Sequence, residues 1–397
     1  MFLKDKKVAI VGGGPGGLTL ARLLQQKGVS VKVYERDAGQ YVRQQGATLD
    51  LHHESGLKAL REAGLIEEFK KNYRPGAERI TITDNNAVVH YTERDKEPVQ
   101  DLNSEYARPE IDRGPLRDLL IASLEDNTVV WDSKFSELKE QSSGWNLIFE
   151  NGTTAYADLV VAADGANSKV RKYITDIQPI YSGISIVEGN IYNAAANAPH
   201  LWELTNGGKV FALWNSKIVV LSAKGEGSLS FYTSTKETED WVKISGIDFK
   251  NKEQVFTWFK QRFSDWSNDW HEIFLTNESY FVVRPQYYFS TNKSWQPLPN
   301  LTMLGDAAHV TPPSGDGVNQ AMLDALELYE ALCMGNFSAM QEALASFEQK
   351  MRNRTEEVAE EAIKLIEGMQ SENNLQYMLD FFNSLNKLLD KVENVGS

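Results

Sequence analysis

Several features that mark other classes of protein are missing from this sequence of 397 residues. Its single cysteine, Cys333, excludes an internal disulfide framework and suits a reducing compartment. No run of about 18 apolar residues occurs, so we predict no membrane span. Residues 4–7 lead only into a short apolar run followed by glycines. We therefore expect no signal peptide and a cytoplasmic location.

Positive charge is also scarce. The chain has 41 Lys and Arg against 55 Asp and Glu, which gives a net charge of −14, and it has no long basic run. A nucleic-acid partner is therefore not expected. The six histidines include no pair at metal-ligand spacing, so we predict no metal site and expect His309 to be a structural group bonded to the backbone. We expect a monomer that binds small molecules.

What the sequence does have is a glycine-rich turn near its start. The apolar run Val8–Val11 predicts a buried strand, and Gly12, Gly14 and Gly17 follow it with G-x-G-x-x-G spacing. Apolar residues then continue at helical spacing. In such a unit Gly12 permits the tight turn, Gly14 lets the backbone approach a pyrophosphate, and Gly17 lets helix and strand pack closely.

A second predicted strand, residues 29–34, strengthens this interpretation. It ends at Glu35, about 20 residues beyond the glycines, where a carboxylate accepts hydrogen bonds from ribose hydroxyls. The alternative is a glycine-rich turn that binds no nucleotide. The spacing of the second strand and Glu35 favours the dinucleotide site.

Two further motifs end apolar strands. Residues 159–163 run into Asp164-Gly165, and residues 301–304 run into Gly305-Asp306. Ligands of an open α/β sheet bind at the carboxyl ends of its strands, so the three motifs could converge on one elongated ligand. Taken singly, each of the two later motifs could be an ordinary turn. Arg113 and Arg117, one helical turn apart, are either ligand-binding or part of a solvated helix face.

The remaining pattern predicts a second layer of structure. Residues 129–131, 135–139 and 145–149 predict an antiparallel meander. Residues 179–290 are dense in aromatic side chains and alternate in apolar runs, which is typical of a largely antiparallel sheet. Residues 340–369 carry an apolar stripe with a spacing near 3.6, which predicts one long helix.

The three motifs in this order resemble those of the class A flavin monooxygenases, the single-component aromatic hydroxylases. Within that family the chain is most similar to tetracycline-inactivating monooxygenases of the Tet(X) type, on the strings VYERD, GATLDLH, PEIDRGPLRDLL, SKVRK and LTMLGDAAHVTPP. The resemblance implies an α/β fold: a Rossmann-like FAD-binding domain, an inserted, mostly antiparallel β-sheet substrate domain and a long C-terminal helix. The expected segments are FAD-binding 1–75, substrate 76–100, FAD-binding 101–178, substrate 179–295, FAD-binding 296–337 and a bridging helical segment 338–397.

By the same resemblance FAD is the cofactor, NADPH or NADH is a transient co-substrate, and O₂ reacts at the flavin to form a hydroperoxide that hydroxylates the substrate. Glu35 and Arg36 would hold the adenosine end, Asp306 the ribitol, and the amides of Val318 and Asn319 the flavin pyrimidine edge. The full set of expected cofactor-binding residues is Gly12, Gly14, Pro15, Gly16, Gly17, Glu35, Arg36, Arg43, Asp50, Arg113, Arg117, Asp164, Asp306, Pro313, Gly317, Val318 and Asn319. No side chain is expected to act as a catalyst, because the flavin carries the chemistry.

The expected substrate is an aromatic or polycyclic phenol or enol. One hypothesis is that the enzyme inactivates tetracycline and thus confers antibiotic resistance. Its expected contacts are Glu188, Lys209, Leu221, Ser230, Pro313, Gly315 and Met369. Three of these depart from the tetracycline enzymes, because Glu188, Lys209 and Ser230 stand where those carry Gln, Arg and His. Asp316 replaces a Gln of the family motif, in a loop that is one residue shorter. The alternative is an FAD-dependent oxidoreductase of the same fold that acts on another aromatic or without oxygen insertion.

Overall fold

The computed structural model describes residues 2–42, 48–98, 100–275, 281–290, 294–311 and 315–395. The strands in these ranges are β1 (Lys7–Val11), β2 (Ser30–Tyr34), β3 (Leu49–Asp50), β4 (Tyr73–Arg74), β5 (Ile80–Thr83), β6 (Val89–Thr92), β7 (Glu110–Ile111), β8 (Val129–Val130), β9 (Phe135–Gln141), β10 (Gly144–Phe149), β11 (Thr154–Ala157), β12 (Leu159–Ala162), β13 (Ile180–Ile191), β14 (Lys209–Trp214), β15 (Lys217–Ala223), β16 (Leu229–Lys236), β17 (Phe281–Tyr288) and β18 (Leu301–Met303).

The helices are α1 (Pro15–Gln25), α2 (Gly56–Glu62), α3 (Ile66–Lys70), α4 (Arg113–Ala122), α5 (Ala194–Asn197), α6 (Pro199–Thr205), α7 (Trp241–Ile244), α8 (Lys252–Arg262), α9 (Glu272–Leu275), α10 (Gly317–Cys333), α11 (Met340–Met369) and α12 (Asn374–Val395). Short 3₁₀ helices occur at Arg171–Tyr173, Asn268–His271 and Gly305–Ala307. None of the helices in the described ranges is both long and apolar enough to cross a membrane.

The chain divides into two compact units, each assembled from separate segments. Unit 1 comprises Met1–Tyr73, Asp101–Ile180 and Tyr287–Ala362, and unit 2 comprises Arg74–Gln100, Tyr181–Gln286 and Ile363–Ser397. Unit 1 contains a parallel sheet of Rossmann type, and unit 2 contains a mostly antiparallel sheet. With the long helix α11 near the end of the chain, these features confirm the predicted fold class.

The central sheet of unit 1 has the strand order β18-β12-β1-β2-β8, and all of its pairs are parallel. All four residues of β12 are buried, as are the last four of β1. This burial explains their unbroken apolar runs, because a parallel sheet is covered on both faces. The strands that precede the three motifs, β1, β12 and β18, are neighbours in this sheet. Their carboxyl ends therefore lie side by side.

The predicted meander is correct in part. Strands β9, β10 and β11 form an antiparallel three-stranded sheet. The prediction for residues 129–131 is wrong, because β8 pairs in parallel with β2 at the edge of the central sheet. Two residues of pairing are too few to leave a periodic signal in the sequence, so the short strand was open to either partner.

Unit 2 is built on a seven-stranded sheet with the order β17-β13-β16-β15-β14-β5-β6. The run from β13 to β14 is antiparallel, and β14 pairs in parallel with β5. One face packs on α8 through a cluster of buried aromatic rings that includes Trp258, Phe259, Phe263 and Trp270. The other face packs on Met369 of α11 and on Met378 and Phe382 of α12.

Candidate functional site

The loop between β1 and α1 leaves open space in front of a helix N-terminus. Gly12 has a φ of +113°, and a Cβ on it would lie 2.2 Å from the main-chain oxygen of Ala163. A Cβ on Gly17 would lie 2.3 Å from the oxygen of Gly12. Close packing therefore requires glycine at both positions. A Cβ on Gly14, by contrast, would meet no atom within 4 Å, and Gly14 is the N-cap of α1.

The first turn of α1 suits an anion. Pro15 occupies the start of the helix, where its missing N–H costs nothing. Gly16 is buried against α10, since a Cβ there would lie 2.8 Å from the oxygen of Ala321. The first N–H groups of a helix have no partner within it, and that end carries about half a positive charge. Together with the open space at Gly14, this arrangement fits a pyrophosphate.

Glu35 and Arg117 form a buried polar group at the carboxyl end of β2. Oε2 of Glu35 accepts a 2.7 Å hydrogen bond from the N–H of Gly13, and Oε1 accepts one of 3.0 Å from the N–H of Asp37. The guanidinium of Arg117 donates to the oxygen of Gly13 at 3.3 Å and pairs with Asp37 at 3.4 Å. Arg117 is buried, so it does not belong to a solvated helix face.

Asp164, after β12, carries an oxygen that lacks a partner. Its Oδ2 accepts a 2.9 Å hydrogen bond from the N–H of Lys169, whereas Oδ1 is buried and receives no hydrogen bond from the described residues. Burial raises the pKa of Asp164, and its hydrogen bonds to Ser168 and Lys169 offset only part of that rise. A buried polar oxygen without a donor fits a bound hydroxyl or an ordered water.

Arg171 joins the second motif to the third. Its Nε donates to the oxygen of Ala307 at 2.8 Å, and its Nη2 donates to the oxygen of Ala166 at 2.7 Å and to that of Asp306 at 3.2 Å. The guanidinium also lies 4.4 Å from the ring centroid of Phe289. Sequence reasoning misses this residue, because a basic side chain after a turn gives no sign that it is buried. Its only signal is its place six residues beyond Gly165 within the string SKVRK.

Asp306 lies in the short 3₁₀ helix that follows β18 in unit 1. Its side chain is exposed, yet the protein around it raises the pKa of its carboxyl, an effect that the charges of His309, Arg113 and Arg171 partly offset. Both observations hold for a carboxylate that water reaches through a concave surface. A Cβ on Gly317 would lie 3.7 Å from Oδ1 of Asp306, so the start of α10 lies beside this carboxylate. Arg113 is exposed on the first turn of α4.

Asn319 ties the start of α10 to the loop after β3. Its Oδ1 accepts hydrogen bonds from the N–H groups of His52, at 2.9 Å, and Gly56, at 3.3 Å. Its Nδ2 donates to the main-chain oxygen of Asp50 at 2.9 Å. Because the side chain is engaged within the protein, α10 offers a ligand the main-chain N–H groups of Val318 and Asn319.

These contacts form one series in unit 1, from the glycine loop through Asp164 and Asp306 to α10. They bring together most of the residues expected to bind the cofactor. Arg36 is exposed beside Glu35 at the end of β2. Arg43 and Pro313 lie outside the described residues, so their placement stays a prediction.

His309 is bonded to a buried carboxylate. Its Nε2 lies 2.6 Å from Oδ2 of Asp324, and Oδ1 of Asp324 pairs with Arg354 at 2.6 Å. Burial alone would raise the pKa of Asp324, but the charges of His309 and Arg354 outweigh it and hold that pKa at about 2. The main-chain N–H of His309 also donates to the main-chain oxygen of Gly305. The structural role expected of His309 thus has a side-chain partner that the sequence did not indicate.

Three residues expected to contact substrate share one face of the unit 2 sheet. Glu188 is directly opposite Tyr232, and Lys209 and Ser230 are both opposite the same residue of β15, so all four side chains project to one side. Glu188 pairs with Arg284 at 2.6 Å. Burial raises the pKa of the Tyr232 hydroxyl, and the charge of Lys209 partly lowers it. Ser230 is buried and donates to a main-chain oxygen.

Leu221 is on the other face. It is fully buried in the aromatic cluster beside Phe231, its neighbour across the sheet. It therefore does not share the face of Glu188, Lys209 and Ser230, and its contact with substrate stays a prediction. Met369 packs on the same face as Tyr232. Gly315 is exposed in unit 1, in the loop before α10. Sequence reasoning misses Tyr232, because an aromatic residue in an alternating strand is most often part of the core.

Comparison with known proteins identifies the family. Residues 5–362 match the family model described as FAD binding domain, which covers most of the chain. Monooxygenase penA of Penicillium thymicola is 27% identical over 427 residues, covering 90% of this chain and 93% of penA.

Two solved structures share the fold. Klebsiella pneumoniae HpxO complexed with FAD and uric acid has a TM-score of 0.73 at 19% identity, over 97% of this chain and 94% of HpxO. The tetracycline destructase Tet(55) has a TM-score of 0.75 at 17% identity, over 97% of this chain and 96% of Tet(55). With the family match and the monooxygenase relative, the chain therefore belongs to the FAD-binding domain family and is an FAD-dependent monooxygenase of the class A type.

Proposed function

We propose that this enzyme uses NAD(P)H and O₂ to hydroxylate an aromatic or polycyclic substrate that carries an acidic phenol or enol, with tetracyclines among the first compounds to test. The observation that carries this proposal is that Lys209 shares one face of the unit 2 sheet with Tyr232, whose hydroxyl is buried and is reached by the charge of Lys209. An ammonium and a phenol that are partly shielded from water attract an oxyanion more strongly than they would in water.

Apolar side chains share this face of the sheet with Lys209. Phe211, Tyr232 and Met369 all belong to the apolar cluster on this face. Binding sites for small molecules are mostly apolar with a few placed polar groups, and Lys209 is such a group. The ligands named for the structural neighbours, uric acid for HpxO and tetracycline for Tet(55), fit the same class of acidic cyclic compounds.

In unit 1, the described residues suit FAD. The loop at Gly14 and the N-terminus of α1 would bind the pyrophosphate, and Glu35 would accept hydrogen bonds from the adenosine ribose. Asp306 would accept hydrogen bonds from the ribitol, and the N–H groups of Val318 and Asn319 would face the pyrimidine edge of the flavin. Bound FAD supplies the hydride acceptor and the site of oxygen activation, which side chains lack. The buried oxygen of Asp164 supports this assignment, because it needs a donor.

The enzyme would hold NAD(P)H only transiently. The sequence contains one G-x-G-x-x-G fingerprint after a strand, and FAD would occupy that site. A nicotinamide dinucleotide would therefore bind without a Rossmann domain of its own.

Smaller acidic aromatics are candidates beside the tetracyclines. Lys209, where the tetracycline enzymes carry Arg, keeps the positive charge but loses the bidentate fork of a guanidinium. Glu188 is already paired with Arg284. Both features favour recognition of one oxyanion over recognition of an extended ring system by several groups.

The test is an assay of the FAD-loaded enzyme with NADPH or NADH under ¹⁸O₂. Tetracycline and simple phenols are each compared with their O-methyl ethers, which keep the ring and remove the acidic hydroxyl. We expect the hydroxyl compounds alone to stimulate NAD(P)H oxidation and to gain one ¹⁸O atom. Equal stimulation by the ethers would overturn the proposed substrate class. Oxidation that yields no ¹⁸O-labelled product would favour an oxidoreductase that works without oxygen insertion.

A further inference from the structure

His52 lies between two carboxylates where α10 begins. Its Nε2 is 3.0 Å from Oδ2 of Asp50, and its Nδ1 is 3.4 Å from Oδ1 of Asp316. The three side chains are only 27%, 24% and 19% exposed, so water screens them partly. Among the described residues, no group of three or more His, Cys, Asp or Glu side chains is arranged to hold a metal ion.

Counting protons defines the state of this cluster. A neutral imidazole carries one N–H, so it can donate to only one of the two carboxylates. The other ring nitrogen, which is an acceptor, would then face a carboxylate oxygen, which is also an acceptor, with no hydrogen between them. One further proton, on the imidazole or on a carboxylate, satisfies both contacts. With it the three groups carry a net charge of −1, and without it −2.

Asp316 is the member for which this charge matters most. It is the N-cap of the 17-residue helix α10, and its carboxylate accepts a 2.7 Å hydrogen bond from Nε2 of Gln320. Burial raises the pKa of Asp316, and the contacts with Gln320 and His52 lower it only in part. A helix N-terminus offers about half a positive charge, so a full negative charge on its N-cap reverses the sign of the field there.

We propose that Asp50, His52 and Asp316 hold one shared proton, and that His52 is a positioning residue which keeps Asp316 from repelling the anionic reduced flavin at the start of α10. His52 has this role only if the flavin ring lies at this helix end, as proposed above. The family motif that this sequence resembles has a neutral Gln at the position of Asp316.

The other charges near the cluster are few. Arg108 acts on Asp316 at longer range and lowers its pKa. Glu110 on β7 is directly opposite Asp50 on β3. Both residues have further partners in the structure. His53, next in the chain, instead pairs at 2.7 Å with Glu54, which is 76% exposed. Within the described part of the chain, His52 is therefore the one histidine in contact with Asp316.

The measurable consequence is a pH dependence of flavin reduction. In the pH range where the three side chains hold the shared proton when the flavin is reduced but release it when the flavin is oxidised, reduction takes up one extra proton. For a two-electron couple a tenfold change in an equilibrium constant equals about 30 mV. The midpoint potential of bound FAD should then fall by about 30 mV more per pH unit than it does without the cluster.

The experiment measures this potential from pH 5.5 to 9 in the FAD-loaded wild type and in His52→Gln, Asp316→Asn, the double variant and the control His53→Gln. We expect the extra slope in the wild type and in His53→Gln only. His52→Gln should lower the potential at pH 6 by about 30 mV or more, a tenfold weaker preference for the reduced flavin. Asp316→Asn should restore it in the double variant, which a general loss of packing would not do.

Equal slopes in the wild type and Asp316→Asn would overturn the proposal, as would an effect of His53→Gln equal to that of His52→Gln. A wild-type protein that binds no FAD gives a different result, because it overturns the proposed function itself. Urea unfolding of each variant shows whether the fold is retained.

Discussion

Asp324 accepts a 2.6 Å hydrogen bond from His309, and both side chains are buried. The same oxygen of Asp324 accepts a 2.7 Å hydrogen bond from the N–H of Gly305. One carboxylate on α10 thus fixes the loop that carries Asp306. The geometry of the third motif depends on a residue that itself lies outside the motif.

We expect Asp324→Asn to reduce the free energy of unfolding by about 3–5 kcal/mol, because it removes the carboxylate of a buried charged network. His309 then loses its charged partner, and Arg354 keeps its 2.8 Å ion pair with Glu327 but loses the one with Asp324. Urea unfolding measures this loss. The matched control is Glu67→Gln, since Glu67 is 73% exposed and pairs with Lys70 at the surface. The control should change stability by less than about 1 kcal/mol. A similar small change in Asp324→Asn would contradict the role of this network.

The same carboxylate predicts an acid transition. The pKa of Asp324 is about 2 in the folded protein, below the value near 4 of an unfolded chain, so its ionised form is favoured by folding. Its contribution to stability is complete above about pH 4 and is lost as the pH falls towards 2. Unfolding curves of wild type and Asp324→Asn should therefore approach each other over this range. A difference that stays constant down to pH 2 would exclude Asp324 as the source.

Arg171 should control FAD affinity through the two loops that it joins. Arg171→Lys keeps the charge but loses the fork that reaches Ala166 and Ala307 together. We expect the dissociation constant of FAD to rise about tenfold or more, in line with the loss of one or two charged hydrogen bonds. Fluorescence titration measures it. Lys169→Gln is the control, because that exposed side chain pairs with Glu150, and an equal effect there would argue against the bridge.

Lys209 and Leu221 lie on opposite faces of the unit 2 sheet, so variants of the two residues test each face by itself. Lys209→Gln should raise the KM for an acidic substrate about tenfold or more by removing a charged partner, with little effect on stability. Leu221→Ala should cost about 2–5 kcal/mol of stability by opening a cavity and leave KM nearly unchanged. Steady-state kinetics and urea unfolding of both variants test this. A rise in KM for Leu221→Ala alone would show that the faces are assigned wrongly.

The fold was predictable where a short-range signal exists. The glycine spacing, the position of Glu35 and the apolar runs before Asp164 and Asp306 follow from local sequence, because a buried parallel strand must be continuously apolar. The edge strand β8 and the face on which Leu221 lies were not predictable to the same degree. A strand of two residues has no period, and a register shift of one residue moves every side chain to the other face.

The candidate site was predictable at its main chain more than at its side chains. The glycine loop depends on positions that have no side chain, and the sequence shows directly where glycine occurs. Arg171, Tyr232 and the pairing of His52 with Asp316 depend on contacts between residues far apart in the chain, and local sequence carries no record of them. Asp316 shows the limit most clearly, because the sequence identifies an Asp in place of the Gln of the family motif but not its contact with His52.

We infer that the three loops after neighbouring parallel strands form one FAD site. The most direct test is the dissociation constant of FAD for Gly14→Ala, Asp164→Asn and Asp306→Asn, each beside its urea unfolding curve. Gly14→Ala adds a methyl group where no atom lies within 4 Å, so it should keep the fold and weaken FAD binding. Gly17→Ala is the contrasting control, since its Cβ would lie 2.3 Å from the oxygen of Gly12 and should lower stability. We predict a loss of about tenfold or more in FAD affinity at each of the three loops, with the fold retained. A loss confined to Gly14→Ala, with both aspartate variants binding FAD as tightly as the wild type, would contradict it.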